Sequence, residues 1–153
     1  MIHVTFSPST PTAVVRPVVI DPAARCFLLV PAEHQGTECW SVPAVPVRVG
    51  ESYRRTAVRY LRRQAGLPPV RITPVVGVLP AIDDRRQTEY VVLARPVAEA
   101  WPPDVRALLG DGARWWSTAQ LRDAGVRVEP DSLPLLMDGY WEGWLPDGVI
   151  ALE

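Results

Sequence analysis

Lysine is absent from the 153 residues, and so is asparagine; all 16 basic side chains are arginine. A GC-rich coding sequence accounts for both absences, because lysine and asparagine codons are AT-rich. The physical consequence holds whatever the cause. There is no lysine for Schiff-base or phosphate-loop chemistry, and every cation is a planar fork that stays charged. Cysteine is scarce as well: Cys26 and Cys39 have no metal-like spacing, which leaves no disulfide framework or zinc site to expect and makes each a small buried hydrophobe. No apolar run approaches the ~20 residues of a membrane span. The stretch from Met1 to Arg16 lacks the basic and apolar regions of a signal peptide. The expectation is a cytoplasmic protein that binds no membrane. The net charge of −1 gives no global attraction to nucleic acid.

With 48% hydrophobic and 22% charged residues, the chain reads as one globular domain over residues 1–153. Seventeen prolines punctuate it and mark the breaks between elements. Thr12 to Ile20 is β-branched with an internal Pro17, which predicts a strand at an edge or with a bulge. A turn at Asp21–Ala24 leads to a second strand, Arg25 to Val30. Residues 31–39 read as a polar loop. Val70 to Leu79 and Thr88 to Ala94 predict a hairpin around the charged loop Asp83-Asp84-Arg85-Arg86. Short helices are expected over Asp104–Leu109 and after Ser117, and a last one over Asp131–Tyr140, ended by Gly139. The class is α/β (α+β), a mixed sheet layered with helices.

The strongest helical signal runs from Gly50 to Gly66. Ser52 is placed to cap it; Tyr53, Ala57, Leu61 and Gln64/Ala65 share one face; Gly66-Leu67-Pro68 stops it. Arg54, Arg55, Arg59, Arg62 and Arg63 all lie here, and residues 52–65 contain no acid. The like-charge pairs Arg55/Arg59 and Arg59/Arg63 each cost about 0.2–0.5 kcal/mol. Glu51 offsets part of that through Arg55 or Arg59.

Residues 45–67 resemble the signature of the Nudix superfamily, Gly-x5-Glu-x7-Arg-Glu-U-x-Glu-Glu-x-Gly-U, where U is aliphatic. Glu51, Arg59, Leu61, Gly66 and Leu67 match it. Trp40-Ser41-Val42-Pro43 resembles the lead-in to that box, and Arg114-Trp115-Trp116-Ser117 a late strand and helix of the family, so the resemblance covers roughly residues 13–140. It implies a Nudix-like mixed β-sheet sandwiched between helices, with the box as a loop–helix–loop. The departures are Val45 for the first glycine, Tyr60 for the glutamate after the arginine, and Arg63 and Gln64 for the paired glutamates. In the resembled family these glutamates hold Mg²⁺ or Mn²⁺ against a diphosphate, which needs clustered carboxylate oxygens.

One functional reading is therefore a degenerate box that binds a small anionic or aromatic ligand, nucleotide-like or diphosphate-like. Arg59, Arg63, Gln64 and Tyr60 would contact it, Arg63 would stand in for the cation, and hydrolysis would be lost or weak. A second is a Nudix hydrolase of a nucleoside or other organic diphosphate, with Mg²⁺ or Mn²⁺ held by Glu51, Glu89 and the Asp83-Asp84 loop, and with Glu51 and Glu89 catalytic. A third is metal-free acid–base chemistry by Glu51, Glu89 or His34. Against these stand structural alternatives: a solvated arginine face, a Glu51 that only braces the helix, a Glu89 at a solvated strand end, and a solvated loop His34. The tail over residues 139–153, with Trp141 and Trp144, fits a pocket wall, a stacking platform or, preferentially, a homodimer contact.

Overall fold

The computed structural model describes residues 13–34, 36–81 and 87–152. Its framework is a mixed sheet: β1 (Ala13–Asp21), β2 (Cys26–His34), β3 (Thr37–Ser41), β4 (Val45–Pro46), β5 (Val70–Leu79), β6 (Thr88–Pro96), β7 (Arg114–Trp116), β8 (Val128–Glu129) and β9 (Gly148–Ala151). The order is β8-β3-β2-β1-β6-β5-β9, with β4 paired to β1 and β7 to β2. The helices are α1 (Tyr53–Arg59), which continues as a π-helical turn over Tyr60–Gln64, α2 (Val105–Leu109), α3 (Thr118–Ala124) and α4 (Leu133–Glu142). None of them is long and apolar enough to cross a membrane.

Alternation along the strands sorts side chains onto two faces. Val18 and Ile20 of β1, Phe27 and Leu29 of β2, and Val91 and Leu93 of β6 pack under Leu133, Leu136 and Met137 of α4. On the other face, Val15, Val76 and Val92 pack under Ala57 of α1. Beside them Val19, Leu28 and Ala94 meet Leu61, Ala65 and Leu67 from the segment after α1 and Val105 and Leu109 of α2. Tyr53 of α1 stacks on Tyr90 of β6, with ring centroids 4.7 Å apart.

Several expectations change. Pro17 does not mark an edge, for β1 lies between β2 and β6. Proline is tolerated because β1's side away from β6 changes partner. It pairs with β4 at Val14 and Val15 and with β2 at Ile20 and Asp21. Pro17 falls in the gap between, where no ladder donor is required. The polar segment 31–39 is mostly strand, a β2–β3 hairpin that pairs Ala32 with Cys39 and Glu33 with Glu38. Its exposed outer positions made it resemble a loop. Gly139 lies inside α4, where a Cβ would come within 3.0 Å of Leu145 Cγ; the helix ends instead at Gly143, in the left-handed conformation at φ 75°. Strand β9, parallel to β5, is an addition to the sequence reading. Asp83, Asp84, Arg85, Arg86 and His3 lie outside the described residues, as does the side chain of His34, which ends β2.

Candidate functional site

The loop before α1 and the two turns after it form one structural unit. The Ser52 hydroxyl accepts from the Arg55 N–H at 3.1 Å and caps α1. Glu51, just ahead of the cap, reaches along the helix. Arg59 Nε donates to its Oε2 at 2.9 Å and Arg59 Nη2 to its Oε1 at 3.0 Å. Thr56 Oγ1 donates to the same Oε1 at 2.7 Å, and Arg59 Nη2 lies 3.4 Å from the Pro46 carbonyl oxygen. This fork pins the helix to the loop and to β4. It also neutralises the arginine in the middle of the Arg55–Arg59–Arg63 series, which removes both like-charge clashes expected from the sequence.

The same bonds hold the Glu51 carboxyl down at about 2, Arg59 contributing most and then Thr56, while the pair raises the Arg59 guanidinium above its ordinary value. Because the folded value lies below the unfolded one, near 4.5, the stabilisation by this charge is complete above that unfolded value. It is lost as pH falls through about 2. A carboxyl-detected NMR titration is expected to place the Glu51 midpoint near 2, and Arg59→Gln to move it upward toward the ordinary value of 4.5. A Glu51 midpoint near 4.5 in the unsubstituted protein would contradict the fork.

Beyond the fork, α1 ends in a π turn. The Ala65 N–H donates to the Tyr60 carbonyl at 3.0 Å, and the Leu67 N–H to the Leu61 carbonyl at 2.8 Å. Gly66 adopts φ 68°, the left-handed conformation that stops the helix as its sequence predicts. Leu61, fully buried, anchors the turn from below. Its outer side therefore displays Arg62 and Arg63 next to Arg54 and Arg55 of α1. These four, with Arg59 and with Arg48 from the preceding loop, line an open groove of about 600 Å³. Among the described residues Glu51 is the sole acid in the lining, and it is committed to Arg59. Among the described residues, Arg48, Arg54, Arg55, Arg62 and Arg63 have no carboxylate partner.

No protein-family model matches the sequence, and no curated protein is similar to it in sequence. The fold has clear counterparts among solved structures. The C. elegans Ap4A hydrolase superposes with a TM-score of 0.62 at 17% identity, covering 89% of this chain and 100% of that one. A NUDIX hydrolase from Nitrosomonas europaea gives 0.59 at 18% identity, over 95% and 82% of the two chains. A UDP-X diphosphatase gives 0.59 at 14% identity, over 97% and 71%. The chain has the Nudix fold.

Within this Nudix fold, residues 45–67 run from β4 through α1 and the π turn to Leu67, the loop–helix–loop that the resemblance implied. The residues singled out from the sequence are not all in one place. Arg59 and Arg63 line the groove. Tyr60 is half-buried against the cluster that includes Val19, Leu28 and Leu61, and burial pushes its phenol up. Gln64 is exposed and outside the groove lining.

Glu89 is separate again. Tyr90 points toward α1, so by alternation Glu89 points to the opposite face of the sheet, away from Glu51. There it meets Arg16, buried at 8% exposure, whose Nε donates to Glu89 Oε1 at 2.7 Å. Arg16 Nη1 donates to the Val42 carbonyl at 2.7 Å, and Nη2 lies 3.5 Å from Glu129 Oε1. Among the described residues no group of three or more histidine, cysteine, aspartate or glutamate side chains is arranged to hold a metal ion.

The sequence reading named neither Arg16 nor Arg48. A single arginine inside the apolar run Val14–Ile20 was the available signal for Arg16, since a cation in a buried strand requires a partner. Arg48 had no signal of its own; the loop that folds back onto α1 brings it to the groove. In the tail, Trp141 packs against the α4-side core, as do Ile150 and Leu152, while Trp144 stays 71% exposed.

Proposed function

We propose that this chain is a Nudix-fold protein that binds a phosphate-bearing anion on the arginine groove of α1, with metal-dependent diphosphate hydrolysis lost or weak. The observation that carries this reading is the groove itself: five arginines without carboxylate partners among the described residues, one of them Arg63 at a position where the resembled box keeps a glutamate. Planar forks recognise phosphate oxygens through paired, charge-assisted hydrogen bonds, and an exposed groove that concentrates them raises the local anion concentration.

Among the described residues, the donors around α1 do not fit a resident Mg²⁺ or Mn²⁺, which requires several oxygens in near-octahedral array. Tyr60 offers a protonated phenol packed against apolar groups, Arg63 a repelling cation, and Gln64 one neutral carbonyl. Both oxygens of Glu51 already accept from Arg59, and Glu89 leaves from the other face. Glu51 is accordingly a positioning residue that orients Arg59 and the loop, and no reaction step is assigned to a metal here.

The alternative is a hydrolase with Glu51 and Glu89 as catalytic acids; the hydrolase part is favoured by the activities of the similar solved structures, and a turnover assay separates it cleanly. A panel of nucleoside and other organic diphosphates with Mg²⁺ or Mn²⁺ is expected to yield no release of phosphate or nucleoside monophosphate beyond the buffer rate. Robust metal-dependent release, abolished by both Glu51→Gln and Glu89→Gln, would overturn the binding reading in favour of the hydrolase.

A further inference from the structure

The arginines of the α1 groove that have no carboxylate partner among the described residues arise from separate parts of the backbone. Arg54 and Arg55 occupy the first turn of the helix, while Arg62 and Arg63 occupy the π turn, and Arg48 comes from the loop beside them. Arg62 is seven positions beyond Arg55, which sets their backbones about 10 Å apart along the axis at roughly 1.5 Å per residue. Arg59 between them is held by Glu51. A site for one phosphate gathers its forks around one centre; here their attachment points fall in two groups along the helix. The groove has apolar surface from Val58, and Val49 is fully exposed beside it. Among the described residues no aromatic lines it, and Tyr53 on the same helix is stacked on Tyr90. A nucleobase would therefore find no stacking platform, the feature on which single-stranded nucleic-acid sites rely.

We infer that the groove takes an extended condensed phosphate, a linear chain of phosphoanhydride-linked phosphates, whose successive charges meet Arg54/Arg55 and Arg62/Arg63 in turn. This rests on the proposed function and specifies its ligand. The chain is recognised by its charge spacing alone, so neither a base nor a sugar contributes, and no bond is made or broken.

The test is calorimetric titration of the full chain in EDTA with orthophosphate, pyrophosphate, linear tripolyphosphate, cyclic trimetaphosphate, long linear polyphosphate and a single-stranded oligonucleotide. Affinity per phosphate unit is expected to rise about tenfold or more from pyrophosphate to the long chain. Linear tripolyphosphate should bind more tightly than the compact ring of the same phosphate number. R55A/R62A is expected to weaken the long chain about 100-fold and to lower its salt slope by about 2, one unit for each phosphate contact removed. Arg106→Ala, on α2 and outside the groove, should leave binding unchanged. Circular dichroism establishes that the double variant is folded; R54Q/R63Q serves as the second variant if it is not.

Equal affinity for pyrophosphate and the long chain would overturn the extended-chain inference while the anion-binding reading stands. Oligonucleotide binding as tight as that of the long chain would overturn it in favour of a nucleic-acid backbone. Absence of binding by every anion would remove both.

Discussion

Replacing Arg16 with Met is expected to destabilise the protein by about 3 kcal/mol, at the lower end of what breaking a buried ion pair costs, because the site is slightly wet. The Arg16 and Glu89 side chains are only 10% and 13% exposed. The substitution removes the cation that Glu89 faces at 2.7 Å and takes the side-chain donor away from the Val42 carbonyl. These groups join β1, β6 and the segment after β3 at the point where β1 changes partner between β4 and β2. At ~2–4 °C per kcal/mol for a domain of this size, the melting temperature should fall by roughly 6–12 °C. Removing both charges in R16M/E89L should recover part of that loss, since a well-packed apolar pair replaces a desolvated ionic one. Urea unfolding of the single and double variants measures both quantities. A loss below about 1 kcal/mol for the single variant would mean that the pair is effectively solvated.

Leu61→Ala is expected to cost about 2–5 kcal/mol, a large share of the 5–15 kcal/mol that holds an ordinary domain together. Leu61 is fully buried among Val19, Leu28, Ala65 and Leu67, and it lies within the π turn that carries Arg62 and Arg63. Truncation leaves a cavity beneath the groove. The denaturation midpoint should drop with little change in the m-value, because the denatured chain is hardly altered. A loss under about 1 kcal/mol would show that the arginine-bearing turn is not anchored to the sheet through this residue.

Local features of the fold were legible in the sequence where a pattern and a terminator agreed. Tyr53, Ala57, Leu61 and Ala65 with Gly66-Leu67 located the helix of the site, and Ser52 its cap, because each rests on spacing within a few residues. The continuation into a π turn was not legible, since α- and π-helical turns draw on the same residue types. Pro17 was misplaced because a proline in a strand reports a missing donor but not which neighbour goes without it. The β2–β3 hairpin was hidden by the same limit: exposed strand positions hold the polar residues that loops hold.

The site was legible in charge but not in arrangement. Five arginines on one helix were plain, and so was Glu51 as their counter-ion, with two partners open; the fork to Arg59 decides between them. Arg16 and Glu89 stand 73 positions apart, so their meeting depends on the parallel pairing of β1 with β6, which no local pattern encodes. The same pairing, with strand alternation, sends Glu89 to the face opposite α1 and separates it from Glu51, its partner in the hydrolase reading of the sequence.

The most direct test of the central claim, that arginine rather than a divalent cation holds the anion, is the affinity for pyrophosphate measured twice by calorimetry, once in EDTA and once in excess Mg²⁺. Binding is expected in EDTA, weakened by Mg²⁺ because the cation competes with the guanidinium groups for the phosphate oxygens. Binding that requires Mg²⁺ and disappears in EDTA would contradict it.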